Sequence, residues 1–211
     1  RVFRFVKMKE INKKLIKKSF WFAFLILIFS YLFFTFISYT KLFYSAKKID
    51  SFNNKEFLRI KIYGSSSLPD GNTISGTFSI IDSKGSEIAV IERSWQGSYL
   101  AVEVLTVNVL NKSFSFPSSI YGKEKILDDK KSKKNGTSLE KYYNENGKCF
   151  LISSRKLQRA LYNISIFAQE KIPLVDFGII KKNTIDLSNC EFNKYYSITQ
   201  DSRGNFILQE L

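Results

Sequence analysis

Residues 19–39 read SFWFAFLILIFSYLFFTFISY, 21 positions with no charge, no glycine and no proline in a chain that is 25% charged. At about 1.5 Å per residue, a helix of that length is roughly 31 Å long, close to the ~30 Å hydrocarbon core of a bilayer. Thirteen of the residues are Leu, Ile or Phe, each worth up to roughly −0.3 to −0.6 kcal/mol at the membrane centre. A core helix of a soluble domain would keep a polar stripe at the helical period. Here the polar exceptions are Ser19, Ser30, Tyr31, Thr35, Ser38 and Tyr39, and Ser and Thr hydroxyls bond back to the helix's own carbonyls. The pattern predicts a transmembrane helix. A cleavable signal has a shorter apolar region, ~7–15 residues, and then a small-x-small site. The flank TKLFYSAKK instead sets Tyr44 two residues before Ala46 and Phe43 two before Ser45. The expectation is an anchor that stays.

Beyond a stalk expected over residues 40–55, the period changes to two. In FLRIKIY, Leu58, Ile60 and Ile62 alternate with Arg59 and Lys61, as a half-buried strand requires. SLPDGN turns the chain into TISGTFSII, and DSKG turns it again into SEIAVIERS, with Gly85 at the residue needing positive φ. WQGS then leads into YLAVEVLTVNVL, so four strands with short turns predict an antiparallel meander. In the last of these the set Leu100, Val102, Val104 gives way to Leu105, Val107, Val109, a phase slip that predicts a bulge. FSF before Pro117 adds a fifth strand.

Residues 122–138 lose all apolar periodicity and read as a charged, exposed loop. CFLISS returns to a strand pattern. SRKLQRALYNISIFAQEKIP then switches to the helical period, with Leu157, Ala160, Leu161, Ile164, Phe167 and Ala168 on one face, Ser154 at its start and Pro173 at its end. PLVDFGII, KYYSIT and NFILQEL read as further strands. The fold class expected is α+β and β-rich: an N-terminal transmembrane helix, then an antiparallel sheet or sandwich-like outer domain with one packed helix. Its divisions are a basic tail at 1–18, the span at 19–39, the stalk at 40–55 and the outer domain at 56–211.

Charge sets the topology. The net charge is +14, and half of that excess lies in the first 18 residues, where Glu10 is the sole acid. Lys41, Lys47 and Lys48 form a smaller cluster beyond the span. The positive-inside rule keeps the denser cluster in the cytoplasm and sends the C-terminal domain outside, with Trp21 and Tyr39 at headgroup level. Met8, the only methionine, opens MKEINKKLIKK, which reads as an ordinary start; the orientation is the same from there. Residues 123–134 hold six lysines against three acids, a solvated run within reach of anionic lipid headgroups, and the rest of the outer part is only mildly basic. A domain outside the membrane meets no genome, and no nucleic-acid motif is present. The expected partners are the lipid bilayer and another envelope protein, with no nucleic acid, at the cell (inner) membrane.

Chemistry is sparse. With no histidine, the commonest general base and the commonest metal ligand are both missing, so no cofactor or metal site is expected. Asp128 and Asp129 fall in the lysine-rich loop, and Glu87, Glu92 and Glu103 face outward from strands. GSSSLPDGN, with Ser66 three residues before Pro69, and ITQDSRGNF resemble in part the bacterial type I signal peptidases, membrane-anchored β-rich enzymes with a Ser–Lys pair. The resemblance implies a serine activated by a buried neutral lysine, which needs no histidine. The sequence departs from that pattern. Ser67 stands where the family has a methionine, and Lys84 and Lys112 sit beside turn residues. Turn chemistry alone accounts for the serines, so no catalytic residue is assigned. The expected role is non-catalytic binding or scaffolding in the envelope, with a membrane-anchored Ser/Lys peptidase as the alternative.

Two further expectations concern sites. Trp95 in the RSWQGSY turn, with Tyr99, is the candidate contact surface; the competing reading buries Trp95 at the end of the sandwich. Cys149 and Cys190, the only cysteines, are a candidate disulfide in an oxidising compartment. Closing a loop of about 42 residues would stabilise the fold by on the order of 4 kcal/mol. The competing picture is two separately buried thiols.

Overall fold

The computed structural model describes residues 2–50, 56–68, 71–124, 136–169, 178–201 and 205–211. The chain divides into two units, Arg1–Lys41 and Leu42–Leu211. The first is built on α1 (Val2–Lys48), 47 residues that include no glycine or proline to break them. Thr35 Oγ1 donates to the Tyr31 carbonyl at 2.8 Å and Thr40 Oγ1 to that of Phe36 at 2.6 Å. These are the back-bonds that let hydroxyls sit in an apolar helix.

The second unit opens on residues 42–48, still helical, where a stalk was expected. Leu42, Ala46 and Ile49 are fully buried and Ser45 nearly so. Their spacing of i, i+3, i+4, i+7 marks one helical face. The Lys112 ammonium donates to the Ala46 carbonyl at 3.2 Å and to that of Ile49 at 2.7 Å. Asn163 Nδ2 donates to Ser45 Oγ at 3.1 Å. A cation on the last carbonyls of a helix satisfies them and complements its dipole. Residues 42–49 therefore belong to the folded domain, and residues 51–55 lie outside the described residues.

Strands β1 (Glu56–Leu68), β2 (Gly71–Ile81) and β3 (Glu87–Gln96) form the start of the expected meander. With β10 (Tyr195–Gln200) and β11 (Phe206–Glu210) they make an antiparallel sheet of order β11-β10-β1-β2-β3. The β2–β3 turn works as its residues predict. Asp82 Oδ1 accepts from the Lys84 and Ser86 amides, each at 2.8 Å, and Gly85 has φ 86°.

The meander stops at three strands. β4 (Tyr99–Val109) opens a second antiparallel sheet of order β6-β5-β4-β9, with β5 (Lys112–Lys123), β6 (Thr137–Ser138) and β9 (Ile180–Asp186). The cause is a corner of bare backbone. Gly97 has φ 133°, and a Cβ on Gly122 would lie 2.0 Å from the Gln96 carbonyl oxygen. Only glycines let the two strands cross so closely. β4 is buried on both faces along Leu100, Val102, Val104, Leu105, Thr106 and Val107. The register shifts between Glu103 and Val104, where Val104 faces Pro117. The phase slip marks a real bulge, and the bulge is where a strand tolerates proline.

Between β6 and β9 lie α2 (Glu140–Tyr143), the small hairpin β7 (Asn144–Glu145) and β8 (Lys148–Cys149), and α3 (Arg155–Gln169). Asn146 (φ 49°) and Gly147 (φ 74°) join β7 to β8, the Asn-Gly chemistry of a two-residue hairpin. The strand expected over CFLISS is thus only its first residue; residues 150–153 turn toward α3. That helix packs on β4, β5 and β8 through Ala160, Leu161, Ile164, Phe167 and Ala168, all buried. Pro173, expected to close it, lies outside the described residues. The architecture is α+β: one long apolar N-terminal helix, antiparallel sheets and one further packed helix.

Candidate functional site

In the five-stranded sheet, Leu58, Ile60, Phe78, Ile80, Ile91, Trp95 and Ile198 are buried. Strict alternation sends their neighbours to the opposite face, and register assembles those neighbours into rows. Lys61 lies between Thr77 of β2 and Tyr195 of β10, and Arg59 between Ser79 and Ser197. Val90 continues the second row beyond Ser79. Tyr63 stands at the bulge of β1, where register shifts between Ile62 and Gly64. Its hydroxyl makes a short hydrogen bond with Thr77 Oγ1.

These rows enclose an open cleft of about 590 Å³, inside the range of small-molecule sites. Lys61 lines it, its Nζ 4.9 Å from the Tyr195 ring centroid and 5.6 Å from that of Tyr63. Two aromatic faces hold the cation in place. Arg59 is forked onto Glu56, Nε to Oε1 at 3.2 Å and Nη2 to Oε2 at 3.1 Å. Glu87 is the acid that lines the cleft, and Val90 and Leu211 give it apolar wall. Tyr195, Val90 and Leu211 are each more than half exposed, so this apolar surface is open to a visitor. Ser79 is buried in the floor, and the Ser197 hydroxyl, 1% exposed, has no hydrogen-bond partner.

A contrast nearby fixes the character of Lys61. Lys194, one residue before Tyr195, bridges Glu191 at 2.8 Å and Glu210 at 3.0 Å. Those hydrogen bonds, Glu191's first, push its ammonium well above the usual lysine value. Among the described residues Lys61 is held by the two rings and bridged to no carboxylate, which leaves its ammonium open to an incoming anion. The cleft offers a positioned cation, hydroxyls and aromatic faces on rigid strands, which is the equipment of binding.

The residues singled out from the sequence fall elsewhere. Trp95 is buried (4% exposed), with its indole N–H on Thr137 Oγ1 at 3.0 Å and its ring edge-on to Phe78 at 5.3 Å. It shares the inward phase of Ile91, so it plugs the core rather than contacting a partner. Tyr99 is half-buried at the start of β4. Cys149 and Cys190 are free and buried, the second of the two pictures. Burial pushes the Cys149 thiol up to about 12 and, with the Asp186 charge, that of Cys190 to about 11. Ser66 is exposed and lies within β1, opposite Thr73, rather than in the turn. Asp128 and Asp129 lie outside the described residues, and Glu87 and Glu92 face solvent.

Lys123 departs most from expectation. Counted with the solvated loop, it is 3% exposed at the end of β5 and pairs with Asp186 Oδ2 at 2.8 Å. Burial alone would raise the Asp186 carboxyl, but hydrogen bonds from Lys123 and Ser188 hold it below its ordinary value. Among the described residues, no group of three acids or cysteines is placed to hold a metal ion. The residues that reading along the chain missed are Tyr63 and Tyr195 around Lys61. FLRIKIY puts Arg59, Lys61 and Tyr63 on one face, which was the available signal; the pairing of β1 with β10 supplies the second ring. No family model matches the chain, and no curated protein or solved structure resembles it.

Proposed function

We propose that the chain is a single-pass membrane protein with a cytoplasmic N-terminal tail and an extracytoplasmic, sandwich-like β domain. That domain serves as a non-catalytic binding or scaffolding component of the envelope. The observation that carries the anchoring is the surface of α1. Phe20, Phe22, Leu27, Phe29, Phe33 and Phe36 are each 66–71% exposed. Burying such a side chain is worth about 1.5–3 kcal/mol, so in water this surface would be strongly unfavourable and in lipid it is at home. The charge-dense tail supports the orientation. The second sheet, buried on both faces at β4, supports the sandwich-like packing.

The binding role rests on the open face around Lys61, with partners in the bilayer and a further envelope component. An exposed Ser66, and a Lys112 ammonium already committed to two carbonyls, favour this reading over a Ser/Lys peptidase. Protease added to intact spheroplasts should remove the domain and leave a short membrane stub. A soluble form beginning near Lys47 would overturn the anchoring. The substitution Ser66→Ala should leave a binding protein's phenotype intact and abolish that of a serine peptidase. Co-purification in mild detergent identifies the partner.

A further inference from the structure

We infer that the cleft on the open face of the five-stranded sheet takes a small anion with a flat or apolar body, its acid group on Lys61 and its body against Tyr195, Tyr63 and Val90. The inference rests on the reading that this face binds. Four observations carry it. The cleft is of small-molecule size, about 590 Å³. Its Lys61 ammonium is gripped by two tyrosine rings and bridged to no carboxylate among the described residues, whereas Arg59 and Lys194 are both neutralised by glutamates. Its walls keep apolar surface open at Val90, Tyr195 and Leu211. Its floor buries the Ser79 side chain, in line with Arg59.

These features divide the work of recognition. An acid group approaching Lys61 gains a charge-assisted hydrogen bond. A flat body gains area and edge or face contacts on the tyrosines. A simple inorganic anion would use only the first, and a neutral aromatic only the second, so neither fits the cleft as well as a molecule that carries both.

The test uses the full chain in nanodiscs of zwitterionic lipid, with empty nanodiscs as the blank. Two isosteric probes are titrated and followed by saturation-transfer NMR and calorimetry: naphthalene-2-sulfonate, an anion, and naphthalene-2-sulfonamide, which is neutral. The expected result is at least about tenfold tighter binding of the sulfonate, one decade of Kd. That preference should vanish in Lys61→Met and persist in Lys181→Met, an exposed lysine on β9. Thermal unfolding of each variant checks that the fold is kept, and Lys61→Gln provides a second charge-removing variant. Equal binding of both probes, weakened alike by Tyr195→Ala, would overturn the anion inference and leave the binding face standing. Sulfonate binding unchanged in Lys61→Met would also overturn it. Absence of binding by either probe would overturn the inference and the binding face together.

Discussion

Replacing Gly122 with alanine tests the corner at which the chain leaves one sheet for the other. The new Cβ would lie 2.0 Å from the Gln96 carbonyl oxygen, 2.8 Å from its carbon and 3.3 Å from the Trp95 Cβ. Since C···O contacts settle at roughly 3.3–3.6 Å, the strands must separate by about 1.3 Å or more. The two contacts under 3 Å are both to backbone, so no side chain can swing away to relieve them. Separation strains the Ser98 N–H to Lys123 carbonyl bond, now 2.8 Å, and the pairing of Gly122 with Leu100. Overpacking costs about 1–3 kcal/mol and each weakened hydrogen bond about 0.5–1.5. The expected loss is about 3 kcal/mol, a large share of a domain's net ~5–15 kcal/mol. The control is Gly64→Ala, where a Cβ meets nothing within 4 Å. Urea unfolding followed by Trp95 fluorescence should show a much lower midpoint for Gly122→Ala at unchanged slope, and a midpoint near wild type for Gly64→Ala. If the two alanines cost the same within about 0.5 kcal/mol, the close crossing does not exist and the two-sheet topology is wrong at that corner.

Three further outcomes follow from named contacts. Lys112→Met should destabilise the domain by about 1–3 kcal/mol by stripping the Ala46 and Ile49 carbonyls of their donor; a midpoint equal to wild type would show that residues 42–49 do not dock there. Asp82 and Asp186 both have carboxyls held below their ordinary value: burial opposes this, but Asp82 accepts from Ser86, Ser153 and Lys84, and Asp186 from Lys123 and Ser188. Their contribution is therefore fully present above the unfolded aspartate value of about 3.9 and is lost as pH falls through the lower folded values. Unfolding midpoints measured down this acid range should fall, and Asp186→Asn should flatten the slope; an unchanged slope in that variant would refute its part. Thiol labelling of the unreduced protein should modify both cysteines once it is unfolded and neither rapidly while folded, given burial and a Cys149 thiol pushed to about 12. A protein with no labelled thiol after unfolding would carry the disulfide instead.

The long helix, the alternating strands, the bulge in β4 and the apolar stripe of α3 were all legible along the chain. Each is a local pattern: one unbroken apolar run, or a repeat of two or 3.6, whose meaning does not depend on what lies elsewhere. The Asn146–Gly147 turn is a local signal of the same kind, the Asn-Gly chemistry of a two-residue hairpin. What tertiary structure decided are the pairings. A turn between β3 and β4 looks the same whether the strands pair or part, and only the approach of Gln96 to Gly122 shows that they part. Lys123 belongs by composition to a lysine-rich loop and becomes a buried ion only because Asp186, 63 positions away, stands opposite. Trp95 turns inward and Tyr195 stays exposed for the same reason. Alternation specifies that two faces exist, but which face is covered depends on what the rest of the chain packs against it. The cleft exists because β10 returns from the far end of the sequence to set Tyr195 beside Lys61, a contact between residues 134 positions apart in the sequence.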